Sequence, residues 1–222
     1  MKRLLPVVIC FAALSCTTLT PVRHTVIRDP YLLGKCFPAY PLRAFRAVHV
    51  IDATIRGETS PFIGITIADV PENRIRATLL SVEGLVLLDA VSDKGTIDVY
   101  RSMQTFLSAV FAQGLFSDIR FMLFPERGHL IGATISADGS MTCRWTNGGH
   151  EYEKDSDAAG KMTIREYGPG HKHLRTLTMS PPIIDGLYKR MQLRSFVGIG
   201  YSLSLKLLEG EPLEHTDGLF SR

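Results

Sequence analysis

The residues that could carry chemistry are few, and they form no established catalytic pattern. His171 and His173 flank Lys172; alternate residues of a strand share a face, so the two could begin a metal site, but no third ligand is implied. Gly198-Ile199-Gly200 lacks a third glycine and precedes a strand pattern, so it is not a dinucleotide-binding turn. The sequence contains no Gly-x-Ser-x-Gly, His-Glu-x-x-His or Cys-x-x-Cys motif. We therefore expect no enzyme, cofactor or metal, with an esterase as the least favoured alternative.

The N-terminus has the three-part pattern of a secretory signal peptide. Two basic residues precede an apolar run from Leu4 to Leu14, which is too short to span a bilayer as a helix. The sequence Ala13-Leu14-Ser15-Cys16 resembles the lipobox of bacterial lipoproteins, in which the signal is cut before a cysteine that becomes acylated. This resemblance predicts a signal peptide over residues 1–15 and lipidation of Cys16, with an ordinary cleavage nearby as the alternative. Thr17, rather than aspartate, follows the cysteine, which is compatible with the periplasmic face of the outer membrane.

Cleavage after residue 15 leaves residues 16–222, a length suited to one β-rich domain. The formal net charge then falls from +3 to +1 because Lys2 and Arg3 leave with the signal. A nucleic-acid partner would require a basic face or stripe, and we expect no such partner. Cys36 and Cys143 remain in an oxidising compartment, where a disulfide can form. The sequence leaves open whether they form one or stay as two independent thiols.

Most of the mature chain has the period-two alternation of β-strands. Residues 16–43 contain four prolines and are expected to be a lipidated tether. Five strand patterns fill residues 45–100, and about six follow residue 130; the short turns between them favour antiparallel hairpins. His49 lies on the apolar face of the first strand and is expected to be a buried imidazole. The folded domain is predicted to span residues 44–210, and residues 211–222 to form a C-terminal tail.

Residues 101–125 are the one long stretch with helical period. The apolar residues of its first half recur on one helical stripe, formed by Met103, Phe106, Leu107, Val110 and Phe111. We predict two short helices joined near Gly114, with Ser102 as the first N-cap and Pro125 as the end. These helices are either ordinary core helices packed on a sheet or a lid over a ligand cavity, and the sequence leaves both open.

The order of lipobox, tether, five-strand meander, helix pair and further strands resembles the LolA/LolB superfamily of periplasmic lipoprotein carriers and receptors. It is most similar to the uncharacterised LolB-like outer-membrane lipoproteins. The strongest local similarities are residues 74–88 (RIRATLLSVEGLVLL), the helical stretch 102–124 and the closing strand 202–208. The resemblance implies an α+β fold of mainly antiparallel strands, an open curved half-barrel of about eleven strands with a helix pair covering its concave face.

The resemblance further implies that the concave apolar face holds acyl chains. Its candidate lining residues are apolar positions of the first strand, the helix pair and the last strand: Ile51, Ile55, Phe106, Val110, Leu115, Leu203 and Leu205. The protein is then expected to bind or carry the acyl chains of lipids, glycolipids or lipoproteins while its own lipid anchors it in the membrane. The alternative is a non-catalytic structural lipoprotein with a packed core, which binds an envelope protein partner. Both alternatives require apolar inward residues, so the alternation does not separate them.

One position departs from the family pattern. In LolB the turn between the strands that match residues 74–88 carries an exposed leucine directly before a glycine, and this leucine assists delivery of lipoproteins to the membrane. Here Glu83 precedes Gly84, and a carboxylate resists insertion into a bilayer. Leu85 is the nearby residue that could substitute. The departure argues against identifying the protein as the lipoprotein receptor itself.

Overall fold

The computed structural model describes residues 36, 41–106, 108–124, 128–184, 186–216 and 218–220. The predicted signal peptide, Cys16 and most of the tether lie outside the described residues. Within these ranges the chain forms one α-helix, α1 (Ala109–Leu123), and two short 3-10 turns, Gln104–Phe106 and Pro169–His171. It also forms the strands β1 (Phe45–Ile55), β2 (Glu58–Asp69), β3 (Arg74–Leu80), β4 (Val86–Asp93), β5 (Thr96–Ser102), β6 (His129–Ile135), β7 (Met141–Asn147), β8 (His150–Ser156), β9 (Met162–Gly168), β10 (Lys172–Met179), β11 (Pro182–Ile184), β12 (Leu187–Tyr188), β13 (Arg190–Ser195) and β14 (Tyr201–Pro212).

Twelve of these strands form one open antiparallel sheet, in the order β5-β4-β3-β2-β1-β14-β13-β10-β9-β8-β7-β6. The predicted five-strand meander, β1 to β5, is confirmed, and β6 to β10 form a second meander. The last strand, β14, returns to the middle of the sheet, where it pairs with β1 on one side and β13 on the other. β11 and β12 form a separate small hairpin. The mainly antiparallel open sheet is therefore confirmed, with twelve strands instead of about eleven.

The helical stretch is one α-helix, so the prediction of two helices joined near Gly114 is corrected. Ser108 is the N-cap, because its Oγ accepts the N–H of Phe111 at 3.1 Å, whereas Ser102 is the last residue of β5. Gly114 lies inside α1 with open space around its Cβ position. A glycine inside a helix costs about 1 kcal/mol relative to alanine. Burial of Phe116 and Phe121 on the adjacent turns offsets that cost.

The sheet curves around α1, which lies on its concave face. Arg120 Nη2 donates to the Ser92 Oγ of β4 at 2.8 Å, and the ring of the next residue, Phe121, lies 6.4 Å from the ring of Tyr152 in β8. β4 and β8 are eight positions apart in the strand order, which would separate them by about 38 Å in a flat sheet with ~4.8 Å between strands. Two consecutive helix residues can contact both strands only if the sheet is strongly curved.

The inner face of the sheet and α1 share one hydrophobic core, which includes the fully buried side chains of Ile75, Leu88, Phe116, Leu177 and Leu193. Cys36 also lies in this core and forms a disulfide with Cys143 of β7. Of the two alternatives that the sequence left open, the disulfide is therefore the one present. It fixes Cys36, nine residues before β1, to the concave side of the sheet.

Three described residues after β14, Thr216, Leu219 and Phe220, contact the outer face of β2, β3 and β5. Arg76 Nη1 donates to the carbonyl oxygen of Leu219 at 3.0 Å, and the Tyr100 hydroxyl donates to that of Phe220 at 2.9 Å. The predicted domain end at residue 210 falls inside β14, which continues to Pro212. Across the described ranges, none of the helical segments is both long and apolar enough to cross a membrane.

Candidate functional site

Rows of cross-strand partners run across the concave face. The first row is apolar and consists of Ile51, Leu205, Met191, Met179 and Met162. The second row is also apolar and consists of Ala53, Leu203, Leu193, Leu177 and Ile164. The third row contacts α1 and is largely polar, with Ile55, Tyr201, Ser195, Arg175 and Glu166. Two apolar rows and one polar row therefore cross the same concave face.

The apolar rows are closed over β10 and β13 but partly open over β1 and β14. Leu177 and Leu193 are completely buried, whereas Ile51 and Leu203 are half-buried at the boundary of the core. The half-buried side chains of the helical segment pack against the same core, and the rings of Phe106 and Phe111 lie 5.1 Å apart. Five of these half-buried side chains that border the core, from β1, β14 and the helical segment, we call the apolar mouth; its members are Ile51, Leu203, Phe106, Phe111 and Leu115.

Five of the seven predicted lining residues pack in or against the core. Leu205 lies inside it, and the other four belong to the apolar mouth: Ile51, Phe106, Leu115 and Leu203. Ile55 and Val110 are exposed instead, Val110 by 79%. The buried side of α1 carries Ala112, Phe116, Ile119 and Leu123, so Val110 does not face the concave side as expected. Whether any of these residues contacts an acyl chain stays a prediction.

A polar cluster joins α1 to the middle of the concave face. Asp118 is the buried carboxylate of α1. The Tyr201 hydroxyl donates to its Oδ2, and Arg175 Nη1 donates to its Oδ1 at 3.1 Å. The same Arg175 nitrogen donates to the Ser117 Oγ at 3.1 Å, and the guanidinium carbon lies 4.5 Å from the centre of the Phe121 ring. Strands β10 and β14 therefore hold one side of the helix through charge-assisted hydrogen bonds.

The cluster continues away from α1 through a second buried carboxylate, Glu166 of β9. Arg175 Nε donates to Glu166 Oε2, and Glu166 Oε1 lies 2.7 Å from Nδ1 of His150. Arg175 therefore neutralises two carboxylates that are almost fully buried, Glu166 at 2% and Asp118 at 4% exposure. We call Asp118, Glu166, Arg175 and Tyr201 the helix clasp.

The two carboxylates of the helix clasp respond differently to their surroundings. Burial raises the pKa of Asp118 above its usual value, even though Tyr201 and Arg175 favour the ionised form. Burial also acts to raise the pKa of Glu166, but Arg175 and His150 oppose it, and the net shift is downwards. Glu166 is thus held ionised by its partners, whereas Asp118 is the member that takes up a proton more readily.

The sequence interpretation did not find the helix clasp, although one signal was present. In β9 and β10 the alternation that places Ile164 and Leu177 inwards also places Glu166 and Arg175 inwards. Two opposite charges at cross-strand positions of an otherwise apolar face indicate a buried pair, because an unpaired charge there would be very costly. Asp118 could not be assigned to this pair without knowing where α1 crosses the sheet.

Two other titratable side chains lie on the concave face. His49 is 3% exposed, as expected for a buried imidazole, and its Nε2 has no hydrogen-bond partner. Burial lowers the pKa of His49 to about 4, so the imidazole is neutral at pH 7. Lys154 of β8, opposite Cys143, is 2% exposed, and burial lowers its pKa to about 8.

The two histidines of the sequence analysis, His171 and His173, pack on aromatic rings. The ring of His171 stacks on Tyr167 at 4.3 Å, and the ring of His173 lies 4.4 Å from Phe196. In the part of the chain that the structure describes, no group of three or more possible metal ligands is found. A separate open groove of about 560 Å³ lies where β1 begins and β14 ends. Its lining residues come from residues 42–44, 69–71 and 212–216, and none of them belongs to α1.

The architecture matches that of solved structures at low sequence identity. A LolA superfamily protein from Nitrosomonas europaea superposes with a TM-score of 0.58 at 10% identity, covering 83% of this chain and 92% of that one. A domain named for outer membrane lipoprotein sorting from Vibrio parahaemolyticus gives a TM-score of 0.47 at 10% identity, covering 80% and 88%. A DUF1329 family protein from Desulfovibrio piger gives 0.44 at 10% identity, covering 81% and 90%. No protein-family model and no curated protein sequence matches the chain.

The open, mainly antiparallel sheet implied by the resemblance is therefore confirmed, with one helix instead of a helix pair, and the chain shares the fold of a LolA superfamily protein. At 10% identity the likeness concerns the fold alone.

Proposed function

We propose that the protein is a non-catalytic lipoprotein of the bacterial envelope that binds acyl chains between α1 and the concave face. In this proposal Cys16 is acylated and anchors the protein at the periplasmic face of the outer membrane, as the lipobox predicts. The ligand is a lipid, a glycolipid or the acylated end of a lipoprotein. The LolA-type fold supports this proposal, because an open sheet curved around a helix creates a concave apolar face.

The observation that carries the proposal is the apolar mouth. Most side chains of the two apolar rows are buried, but Ile51 and Leu203 of the sheet remain half-buried. So do Phe106, Phe111 and Leu115 of the helical segment. Covering this surface with an acyl chain would remove apolar area from water, which is favourable by about 25 cal/mol per Å².

The helix clasp provides the hinge side of the same site. One flank of α1 is tied to β10 and β14 by Arg175 and Tyr201, whereas the N-terminal turn around Val110 is exposed. A small outward movement of that turn about the clasp would widen the apolar mouth without breaking the buried charge pairs. The arrangement therefore allows a chain to enter while the helix stays attached.

The first test is native mass spectrometry of the full protein purified from its own membrane. We expect a co-purifying lipid, in addition to the acyl groups bound covalently to Cys16. A protein that is empty and instead carries a protein partner supports the alternative, a structural lipoprotein with a packed core.

A pair of variants tests whether the lipid occupies the apolar mouth. Ala53→Trp adds volume on the inner face, because Ala53 is half-buried and opposite Leu203. Asp52→Trp adds the same side chain on the outer face, where Asp52 is exposed. If the mouth holds a ligand, Ala53→Trp loses the lipid and keeps its melting temperature, and Asp52→Trp keeps both. If the region is packed, Ala53→Trp is destabilised by about 1–3 kcal/mol through overpacking, and neither variant changes the amount of bound lipid.

A further inference from the structure

Exposed apolar side chains concentrate at one end of the half-barrel. Successive turns of an antiparallel meander alternate between the two ends of the strands. The turns at residues 56–57, 81–85 and 196–200 lie at one end, which we call the first rim, and the turns at 70–73 and 136–140 lie at the other. Of the thirteen large apolar side chains that are exposed in the described part of the chain, eight lie at or beside the first rim: Ile55, Val82, Leu85, Met103, Val110, Phe196, Val197 and Ile199.

The turn between β13 and β14, residues 196–200, is the most apolar part of this rim, and we call it the apolar tip. Phe196, Val197 and Ile199 are 45%, 51% and 63% exposed. The segment from Ser195 to Ser204 contains no charged residue. In contrast, the turn at 81–85 places Glu83 between its apolar residues. The apolar tip is therefore the part of the rim that could leave water at the lowest cost.

The shape of the apolar tip is fixed by local bonds. The Phe196 N–H donates to the carbonyl oxygen of Leu174 at 2.8 Å, and the Gly200 N–H donates to that of Val197 at 3.2 Å. Gly198 and Gly200 have positive φ angles of 63° and 66°, a conformation that glycine adopts without steric cost. These constraints hold Val197 and Ile199 outwards, so their exposure is a property of the turn.

An exposed cation lies on each of three segments that adjoin the apolar tip, the β1–β2 turn, β13 and β10. Arg56 follows Ile55, whose cross-strand partner is Tyr201 at the base of the tip, and Arg194 precedes the tip in β13. Lys172 begins β10, the strand that accepts the Phe196 N–H. The nearest carboxylate of the adjoining β1–β2 turn is Glu58. The immediate surroundings of the tip therefore carry more positive than negative side chains.

We propose that the apolar tip inserts into the headgroup region of an anionic lipid bilayer, with Val197 and Ile199 below the phosphates and Arg56, Lys172 and Arg194 beside them. Aliphatic side chains flanked by cations are the combination that binds such a surface, through buried apolar area and attraction to anionic lipid. A small convex turn fits a deformable bilayer better than it fits the flat, extended interface of a protein partner. This membrane contact goes beyond acyl-chain binding and does not depend on it.

The test uses the full protein reconstituted into vesicles of phosphatidylcholine and phosphatidylglycerol that carry bromine at known depths in the acyl chains. The wild type has a single tryptophan, Trp145, which is completely buried, so it supplies the background emission. Val197→Trp places a reporter on the apolar tip, and Ala137→Trp places the same reporter on an exposed turn at the opposite end. Circular dichroism is the control that tests whether both variants fold as the wild type does.

We expect the Val197→Trp emission to shift to the blue in vesicles and to be quenched most by shallow bromines, and the Ala137→Trp emission to remain as in buffer. Equal quenching of the two variants, or no quenching of Val197→Trp, would overturn the proposal and would leave a protein partner as the occupant of the tip. If Val197→Trp is quenched in a protein that takes up no lipid, the membrane contact is supported and only the proposed acyl-chain binding is contradicted. The two proposals can therefore fail separately.

Discussion

Arg175 is the residue on which the helix clasp depends, and its replacement gives the sharpest test of the structure. Arg175→Met keeps most of the length and volume of the side chain but removes the cation between two buried carboxylates. Glu166 and Asp118 are 2% and 4% exposed, so each would be left without its charged partner. Removal of one member of a buried ion pair costs about 3–5 kcal/mol. The pKa of Asp118 is already raised by burial, so this carboxyl can take up a proton and lose its charge. We therefore expect the loss of stability to lie at the lower end of that range, about 3 kcal/mol.

The loss is measured by urea unfolding at pH 7 and by thermal melting. For a chain of this size about 3 kcal/mol corresponds to a decrease of roughly 6–12 °C in Tm. The unpartnered carboxyls of the variant have raised pKa values in the folded state. The penalty is therefore complete above those values and decreases as the pH falls towards the unfolded value of about 4. Hydrogen exchange should also become faster in α1, because the clasp no longer holds the helix.

Two further variants make the test specific. Arg194→Met changes an exposed arginine on the neighbouring strand β13 and should alter stability by less than about 0.5 kcal/mol. The triple variant Asp118→Asn, Glu166→Gln, Arg175→Met removes all three charges of the helix clasp and should recover most of the lost stability, since no member of the clasp is left as an unpaired charge. The reasoning is refuted if Arg175→Met unfolds within about 1 kcal/mol of the wild type, or if the triple variant is no more stable than the single one.

Three further predictions concern His49, the disulfide and Cys16. The folded-state pKa of His49 is lowered from 6.5 to about 4, so the unfolded chain binds the proton at a higher pH than the folded chain does. The free energy of unfolding should therefore fall by up to about 3 kcal/mol as the pH is lowered from 6.5 to 4. Urea unfolding at several pH values should show a smaller fall in His49→Gln. The disulfide joins residues 107 apart, and Cys143→Ser should lower the free energy of unfolding by about 3–5 kcal/mol. When the protein is denatured without a reducing agent, a thiol assay should detect neither Cys36 nor Cys143 as a free thiol. Mass spectrometry should find acylated Cys16 as the mature N-terminus, and an unmodified N-terminus elsewhere would contradict the lipobox assignment.

Most of the strands were predictable because apolar and polar residues alternate along them, and a hairpin turn needs only local chemistry. The start of the helix was harder to predict. Met103, Phe106 and Val110 have helical spacing in the sequence, but Met103 precedes the 3-10 turn, Phe106 ends it, and only Val110 lies in α1. Ser102 and Ser108 are equally good N-caps by residue type. Ser102 is instead held in β5, because it pairs with Leu88 and the next N–H, that of Met103, donates to the carbonyl oxygen of Leu87 at 2.9 Å. Tertiary contacts therefore overrode local preference at this end of the helix.

The candidate site was predicted only where it is part of a strand. Ile51, Leu203 and Leu205 follow from alternation, whereas the side of α1 that faces the sheet depends on where the helix crosses it. Asp118 illustrates this limit, because its burial is set by Arg175 and Tyr201, which are more than fifty residues away in sequence. A disulfide between Cys36 and Cys143 likewise depends on a distance that no local pattern encodes.

The position of β14 has a consequence for how the chain folds. β1 is the first strand in sequence, and its neighbours in the sheet are β2 and the last strand, β14. The pairing of Phe45 with Pro212 therefore closes a loop that contains nearly the whole domain. Such long-range pairing is slow to form, because the chain loses the entropy of loop closure before the contacts between the two strands stabilise it. Until residues 201–212 are in place, the free edges of β1 and β13 can pair with those of another molecule. The two meanders should thus fold early as separate units, and truncation after Gly200, which removes β14, should give aggregates instead of a shortened, soluble half-barrel.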